Sequence, residues 1–154
     1  MVVAGTTIAR RGRGVLIRGA SGSGKSDISL RAITQPMLLP GEDEAVTIDF
    51  VSDDQTVIKQ NNEELNESAP ETIAALIEAR GIGLIAWPCA DAVTLALVAD
   101  TEREGIKRLP EPRDSRCQLL DVALNRIDLI ARENSSVVKL AIALAGLERR
   151  FPGC

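Results

Sequence analysis

The sequence predicts an α/β fold: a single domain over residues 1–154, built on a mixed sheet whose N-terminal β-hairpin leads into a glycine-rich loop. Three observations predict it. Short β-branched runs recur along the chain and outnumber the helical segments. A G-x-x-x-x-G-K-S motif lies between an apolar run and a helical segment. A chain of 154 residues, 45% of them hydrophobic, can also bury a substantial apolar core without disulfides.

The first elements surround the glycine-rich loop. Residues 2–8 and 14–18 are predicted strands, because both are rich in β-branched or apolar side chains and a polar turn with Gly12 separates them. Residues 26–34 are a predicted helix, since apolar side chains recur at helical spacing and Pro36 follows. The positive end of this helix would face the loop.

The later elements are predicted from the same periodicities, with proline and glycine as boundaries. Helices are predicted at residues 70–79 and 136–150, the second capped by Asn134 or Ser135. The segments 82–87 and 92–99 are typical of neighbouring strands buried on both faces. Further strands are predicted at residues 46–51, 56–58 and 119–131, and exposed or irregular segments at residues 38–45, 60–68 and 101–116.

Charge and residue counts exclude several functional classes. Lys and Arg number 18 against 22 Asp and Glu, so the net charge of −4 offers no basic surface for nucleic acid. Two Phe, one Trp and no Tyr leave little on which bases could stack. The chain has no His, which excludes His-ligated zinc, a Ser-His-Asp triad and a phosphohistidine relay. Any catalysis therefore depends on carboxylates, Lys, Arg or a hard metal ion.

Cysteine usage and hydropathy predict a cytoplasmic protein. Cys89, Cys117 and Cys154 are widely spaced and never form C-x-x-C, which is typical of cytosolic thiols rather than a disulfide scaffold. No apolar run approaches the roughly 20 residues that span a bilayer. We therefore expect neither a membrane nor a nucleic acid as partner.

The glycine-rich loop predicts binding of nucleotide phosphates. Its glycines let successive backbone N–H groups converge on phosphate oxygens, and the following helix dipole favours an anion. The Lys25 side chain can reach the β- and γ-phosphates, and the Ser26 hydroxyl can ligate Mg²⁺. The predicted ATP-binding residues are Gly19, Ala20, Ser21, Gly22, Ser23, Gly24, Lys25 and Ser26.

Phosphoryl transfer also needs a carboxylate near the metal and a group that accepts the proton of the nucleophile. Asp53 and Asp54 end a β-branched run, so one can help to hold metal while the other accepts a proton. Asp100 ends another apolar run and is an alternative metal-side carboxylate. Glu78, just before Gly81 and Gly83, is a hard oxygen ligand suited to Mg²⁺. For each of these side chains, an ordinary solvated turn or helix-end position remains the alternative.

The order of these motifs resembles the HPr kinase/phosphorylase family. A hairpin feeds the loop at residues 19–26, Asp53 and Asp54 follow, and Glu78-Ala-Arg-Gly-Ile-Gly-Leu-Ile comes next. The resemblance covers residues 3–147 and is to the catalytic domain, in the short single-domain form found in proteobacteria. It implies a fold similar to phosphoenolpyruvate carboxykinase around the phosphate loop. It also implies ATP-dependent phosphorylation of a serine on HPr, the phosphocarrier of the sugar phosphotransferase system, in a regulatory role.

The resemblance assigns roles to individual residues. Lys25 would contact the phosphates catalytically, Ser26 and Glu78 would hold Mg²⁺ with Asp53 on the metal side, and Asp54 would accept the proton of the serine hydroxyl. Arg108 falls where the family has a further active-site arginine. The long members of the family assemble as hexamers, so a homo-oligomer is compatible with the resemblance.

Two positions depart from the family pattern. Ala4 stands where the family has a histidine, 21 positions before Lys25, and residues 130–134 retain Arg132 but not a second arginine. These departures favour the kinase reaction over the reverse phosphorylase reaction. Two other functions remain open: a nucleotide-binding regulatory module without turnover, and a small-molecule kinase whose lid would carry the arginines at positions 103, 108, 113 and 116.

Overall fold

The computed structural model describes residues 1–101 and 105–146. In chain order the elements are β1 (Val2–Ala4), β2 (Thr6–Arg10), β3 (Arg13–Arg18), α1 (Lys25–Ile33), β4 (Asp49–Ser52), β5 (Gln55–Asn61), β6 (Glu64–Ser68), β7 (Leu76–Ala79), β8 (Gly83–Ala86), β9 (Val93–Asp100), a 3-10 helix (Pro112–Ser115), β10 (Arg116–Leu119), β11 (Val122–Asp128) and α2 (Ser136–Ala145). The mixed α/β fold that the sequence predicts is confirmed.

Within the described residues the main sheet has nine strands, and β9 lies at its centre. The strand order is β1-β5-β6-β9-β3-β2-β4, with β11 also paired to β9 and β10 paired to β11. Strands β3 and β11 both run parallel to β9, so Arg18, Asp100 and Asp128 end at the same edge of the sheet. Ligands of α/β proteins bind beyond the carboxyl ends of parallel strands. The loop after β3 leaves the sheet at this edge.

Apolar side chains cover both faces of the sheet, as the period of two in a strand requires. In β3, Val15 and Ile17 face a cluster that includes Ile28 of α1 and Leu140 of α2. Leu16 faces the opposite cluster, with Ile58, Leu65, Leu95, Val98 and Leu124. Both helices therefore pack on one face, and α1 is fixed beside the edge where β3 ends.

Several sequence predictions match the described elements. The helix predicted at residues 26–34 corresponds to α1, and the strand at 92–99 corresponds to β9. The last helix begins at Ser136, with Ser135 at the N-cap position but no capping bond from its side chain. This helix ends at Ala145, because Gly146 adopts φ 70° and terminates it; the prediction of a helix to residue 150 is wrong at that point. Residues 147–150 lie outside the described part of the chain.

The middle of the chain differs most from prediction. Residues 60–68, predicted as a polar loop, form the end of β5 and all of β6. Their polar composition hides an alternation in which Leu65 and Glu67 are buried. Residues 70–79, predicted as a helix, form turns and then β7, which pairs with β8 in a separate two-stranded sheet. Strand β8 is also not buried on both faces, since Gly83, Leu84 and Ala86 are exposed.

The first predicted strand is interrupted at Gly5. The Gly5 N–H donates to Asp54 O at 2.9 Å, so β1 pairs with β5 while β2 pairs antiparallel with β3. A Cβ at Gly5 would lie 2.8 Å from Leu16 Cδ1, which is closer than real Cβ contacts come. Residue 5, just before β2, must therefore be small. Its hydrogen bond to Asp54 O connects the start of β2 to the turn that contains Asp54. Within residues 1–101 and 105–146, no helix is long and apolar enough to cross a bilayer.

Candidate active site

The glycine-rich loop connects β3 to α1 and leaves donors free for an anion. Gly22 and Gly24 adopt φ 81° and 98°, a region that L side chains rarely enter. Gly24 is the N-cap residue of α1, and no side-chain bond caps this helix. The N–H groups of the first helical turn have no intrahelical acceptor. A phosphate at this position would accept hydrogen bonds from them and meet the positive end of the helix.

Lys25 lies over the loop. Its side chain is 7% exposed, and Nζ donates to Gly19 O and to Ala20 O, both at 2.9 Å. Carbonyl oxygens are neutral, so these bonds orient the ammonium without neutralising it. The charge of Lys25 is therefore available to a phosphate held by the loop.

The Asp53 carboxylate orders the surrounding elements. It is buried and accepts hydrogen bonds at Oδ1 from Thr6 Oγ1 (2.9 Å) and Ser26 Oγ (2.8 Å). The Asp54 N–H lies 3.1 Å from the same oxygen, and the Glu78 N–H donates to Oδ2 at 3.0 Å. Four donors from β2, α1, β7 and the turn after β4 thus converge on one anion. Asp53 therefore orients the Ser26 hydroxyl and the backbone at Glu78; its Oδ2 accepts only one of the four bonds, so Asp53 stays a predicted metal-side carboxylate.

Asp54 lies next to Asp53 but faces the pocket. It adopts φ 63°, in the left-handed region that Asp and Asn tolerate better than most residues. Its N–H contacts Thr6 Oγ1 at 3.3 Å, and its carbonyl oxygen accepts the Gly5 N–H. The backbone is therefore fixed on both sides, while the carboxylate is exposed at the cavity wall.

These groups surround one cavity of about 340 Å³. The cavity brings together the loop, Asp54 and Glu78, but Arg108 is exposed on the segment after residue 105 and does not line it. Arg103 lies outside the described residues. The lining residues are Ser21, Gly22, Gly24, Lys25, Ser26, Asp27, Leu30, Asp54, Glu78, Ala79, Arg80, Ile82 and Arg132.

The donor set fits Mg²⁺ shared with phosphate oxygens. The Ser26 hydroxyl and the Glu78 carboxylate are hard oxygen ligands on the wall of the cavity. Among the described residues, no group of three or more His, Cys, Asp or Glu side chains could hold a metal ion. Mg²⁺ typically uses one or two carboxylates and completes its shell with water and substrate phosphates. The site therefore suits a metal that arrives with a nucleotide.

The Asp100 carboxylate forms ion pairs with Arg18 and Arg126. Arg18 donates to both of its oxygens at 2.8 and 2.9 Å, and Arg126 Nε donates to Oδ2 at 2.6 Å. Burial alone would raise the pKa of Asp100, but these hydrogen bonds and the two positive charges hold the pKa below its ordinary value. Asp100 thus links the ends of β3, β9 and β11 through ion pairs. The next residue, Thr101, contacts the glycine-rich loop, since its Oγ1 lies 2.9 Å from Ser23 Oγ.

We expect Asp100→Ala to lower the free energy of unfolding by about 2 kcal/mol, because two guanidinium groups lose a charged acceptor. Asp91→Ala, at an exposed position, is the matched control and should stay within about 0.5 kcal/mol. Urea unfolding of the three proteins measures the difference. Equal midpoints for Asp100→Ala and the unmodified chain would contradict a stabilising role.

Sequence reasoning missed two contributors to the site, Thr6 and Arg80. Thr6 orients Asp53 and Asp54, and nothing in its sequence context indicates this contact. Arg80 lines the cavity together with Glu78. Their spacing of two is the signal for a shared strand face, but the helix predicted over residues 70–79 concealed it. Arg132, which the resemblance picks out as the retained arginine of residues 130–134, lines the cavity from a segment more than 100 residues after the loop.

Comparison with known proteins identifies the family. The family model described as HPr Serine kinase C-terminal domain matches residues 1–88. The HPr kinase/phosphorylase of Brevibacillus brevis is 41% identical over 75 residues, which cover 48% of this chain and 21% of that protein. The protein of the same name from Caldicellulosiruptor bescii is 40% identical over 81 residues, 53% of this chain and 23% of that protein. The matched part thus spans about a fifth of the length of these relatives.

A solved structure supports the fold over nearly the whole chain. The Hpr(Ser) kinase/phosphatase from Coxiella burnetii superposes with a TM-score of 0.72 at 22% sequence identity, covering 95% of this chain and 88% of that one. The family model alone includes the glycine-rich loop, both aspartates and Glu78. The chain therefore belongs to the family of the HPr serine kinase C-terminal domain.

Proposed function

We propose that this chain is an ATP- and Mg²⁺-dependent protein serine kinase whose acceptor is HPr. The observation that carries the proposal is the convergence of Lys25, Asp54 and Glu78 with the uncapped start of α1 around one cavity. This combination supplies an anion site, a cation, a metal ligand and a proton acceptor, which are the parts that phosphoryl transfer requires. Family membership supports HPr as the acceptor.

The loop and Lys25 would bind the nucleotide. Backbone N–H groups at the start of α1 would hold the phosphate oxygens, and Lys25 would stabilise the charge that develops on the transferred group. Ser26 and Glu78 would hold Mg²⁺, which neutralises charge on the phosphates. Asp53 would hold the Ser26 hydroxyl and the backbone of Glu78 in place, because it accepts hydrogen bonds from Ser26 Oγ and from the Glu78 N–H at once.

Asp54 would act on the acceptor. The serine oxygen attacks the γ-phosphorus in line with the bridging oxygen, its proton passes to the Asp54 carboxylate, and the bond to the bridging oxygen breaks to leave ADP. We expect the forward reaction rather than the reverse phosphorylase reaction, because residues 130–134 retain Arg132 but not the second arginine of the family segment. Position 4, where the resemblance expects a histidine, is Ala. Ala4 pairs with Gln55, one residue after Asp54, so the missing side chain belongs beside the proposed base.

The test is incubation of the chain with γ-labelled ATP, Mg²⁺ and HPr, followed by mapping of the phosphorylated residue. We expect phosphoserine on HPr, no label on an HPr variant lacking that serine, and no label on a panel of metabolites. Label on a metabolite would favour a small-molecule kinase. ATP binding without any transfer would favour a regulatory module and overturn the proposal.

A further inference from the structure

Arg31, on α1, joins this helix to the segment 131–133 that precedes α2. Its guanidinium donates to Asp27 Oδ2 at 3.1 Å, to Glu133 O at 3.4 Å and to Ala131 O. The Arg31 side chain is 28% exposed, so these bonds form in a partly desolvated place. One side chain therefore connects the helix after the glycine-rich loop to a segment 100 residues away.

The segment held in this way carries Arg132 into the cavity. Arg132 lies between the two carbonyls that Arg31 contacts, and it lines the cavity. Ser136 Oγ lies 3.0 Å from Ala131 O and 2.6 Å from Glu133 O, so a second donor supports the same carbonyls. The segment also touches the loop, since a Cβ at Gly24 would lie 3.0 Å from Ala131 Cβ.

Arg132 itself is free to bind a ligand. Its side chain is exposed, and no ion pair occupies it among the described residues. A guanidinium presents paired donors in a rigid fork that matches phosphate oxygens. Beside the anion site at the start of α1, the chemistry that it would recognise is a phosphate of the bound nucleotide.

We propose that Arg31 is a positioning residue that holds the segment 131–133 against α1, so that Arg132 contacts a phosphate of the nucleotide. The inference rests on the proposed binding of ATP in this cavity and is independent of the acceptor. Holding the backbone on both sides of Arg132 reduces the conformational freedom that its side chain would lose on binding. Arg31 acts through Arg132 and does not touch the ligand.

A double-mutant cycle on ATP affinity tests this coupling. Calorimetric titration with ATP and Mg²⁺ compares the unmodified chain with Arg31→Ala, Arg132→Ala and the double variant. We expect each single variant to bind about tenfold more weakly, and the double variant to bind no more weakly than Arg132→Ala. A loss of about a hundredfold in the double variant would show that Arg31 acts independently, through the uncompensated charge of Asp27, and would overturn the inference.

Two further variants separate position from charge and folding. Arg31→Lys keeps the charge but not the fork, so we expect it to remain weakened; full recovery of affinity would overturn the positioning role. Arg13→Ala removes an exposed arginine away from the cavity and should bind as the unmodified chain does. The readout is ATP binding, so an additive cycle contradicts this inference alone. Absence of transfer to HPr, with ATP binding intact, contradicts the proposed kinase function and leaves this inference standing.

Discussion

Asp54→Asn is expected to reduce phosphoryl transfer to HPr at least about a hundredfold while ATP affinity stays nearly unchanged. Asparagine has the shape of aspartate but cannot take the proton of the attacking hydroxyl. It also tolerates the left-handed backbone that residue 54 adopts, at φ 63°, so the turn should keep its conformation. The loss should therefore fall on the rate of transfer and not on nucleotide binding.

The neighbouring carboxylate provides the contrast. In Asp53→Asn an amide NH₂ replaces one of the two carboxylate oxygens. This nitrogen cannot accept a hydrogen bond, so the variant loses either the bond from Ser26 Oγ or the bond from the Glu78 N–H. We expect this variant to lose thermal stability and ATP affinity together, which Asp54→Asn should not do. Asp91→Asn, at an exposed position, is the neutral control. Single-turnover transfer, calorimetry and thermal unfolding measure the three effects. Undiminished transfer by Asp54→Asn would remove Asp54 from the proposed mechanism.

The parts of the site that the sequence predicts are local. The glycine-rich loop is a contiguous motif, and its glycines, Lys25 and Ser26 need only the adjoining strand and helix to take their places. Asp53 and Asp54 end a β-branched run, so their position at a sheet end follows from the pattern. Which of the two faces the cavity does not follow, because it depends on the donors of β2 and β7 that converge on Asp53.

The rest depends on contacts between distant segments. Ile73 and Ile77 have helical spacing after Pro70, yet residues 76–79 pair with residues 83–86 across the turn at Gly81. Tertiary pairing outweighs local propensity in this segment. Arg80 and Arg132 reach the same cavity from segments that no local pattern connects. Arg108, which the resemblance selects, is exposed, and its catalytic role stays a prediction.

A buried carboxyl away from the cavity makes stability depend on pH. Glu67, on β6, is fully buried; its Oε1 accepts a hydrogen bond from Thr7 Oγ1 at 3.1 Å. Its Oε2 has no hydrogen-bond partner among the described residues, and a Cβ at Gly14 would lie only 2.4 Å from it. Burial raises the pKa of Glu67 from its ordinary 4.5 to about 8, against the smaller opposite effect of the Thr7 bond. The folded protein therefore holds this carboxyl in its neutral form at pH 7.

The sign of the pH dependence follows from this shift. Between the ordinary pKa of 4.5 and the folded pKa of about 8, the folded chain binds a proton at Glu67 that the unfolded chain has released. The stabilisation is complete below pH 4.5 and is lost as the pH rises through about 8. We expect the free energy of unfolding to fall by about 3 kcal/mol between pH 5.5 and pH 8.5. Asp100, whose pKa is lowered, titrates on the acid side of this window.

Glu67→Gln should abolish most of that fall, because glutamine resembles the neutral carboxyl and does not titrate. Glu64→Gln is the matched control on the same strand: Glu64 is exposed, so its variant should follow the pH dependence of the unmodified chain. Urea unfolding at half-unit steps from pH 5.5 to pH 8.5 compares the three proteins. Parallel curves for Glu67→Gln and the unmodified chain would show that Glu67 is already ionised in the folded state. If the free energy of unfolding falls only in the unmodified chain and in Glu64→Gln, the fall comes from one proton on Glu67. That proton is retained because Glu67 is buried on β6, which lies between β5 and β9.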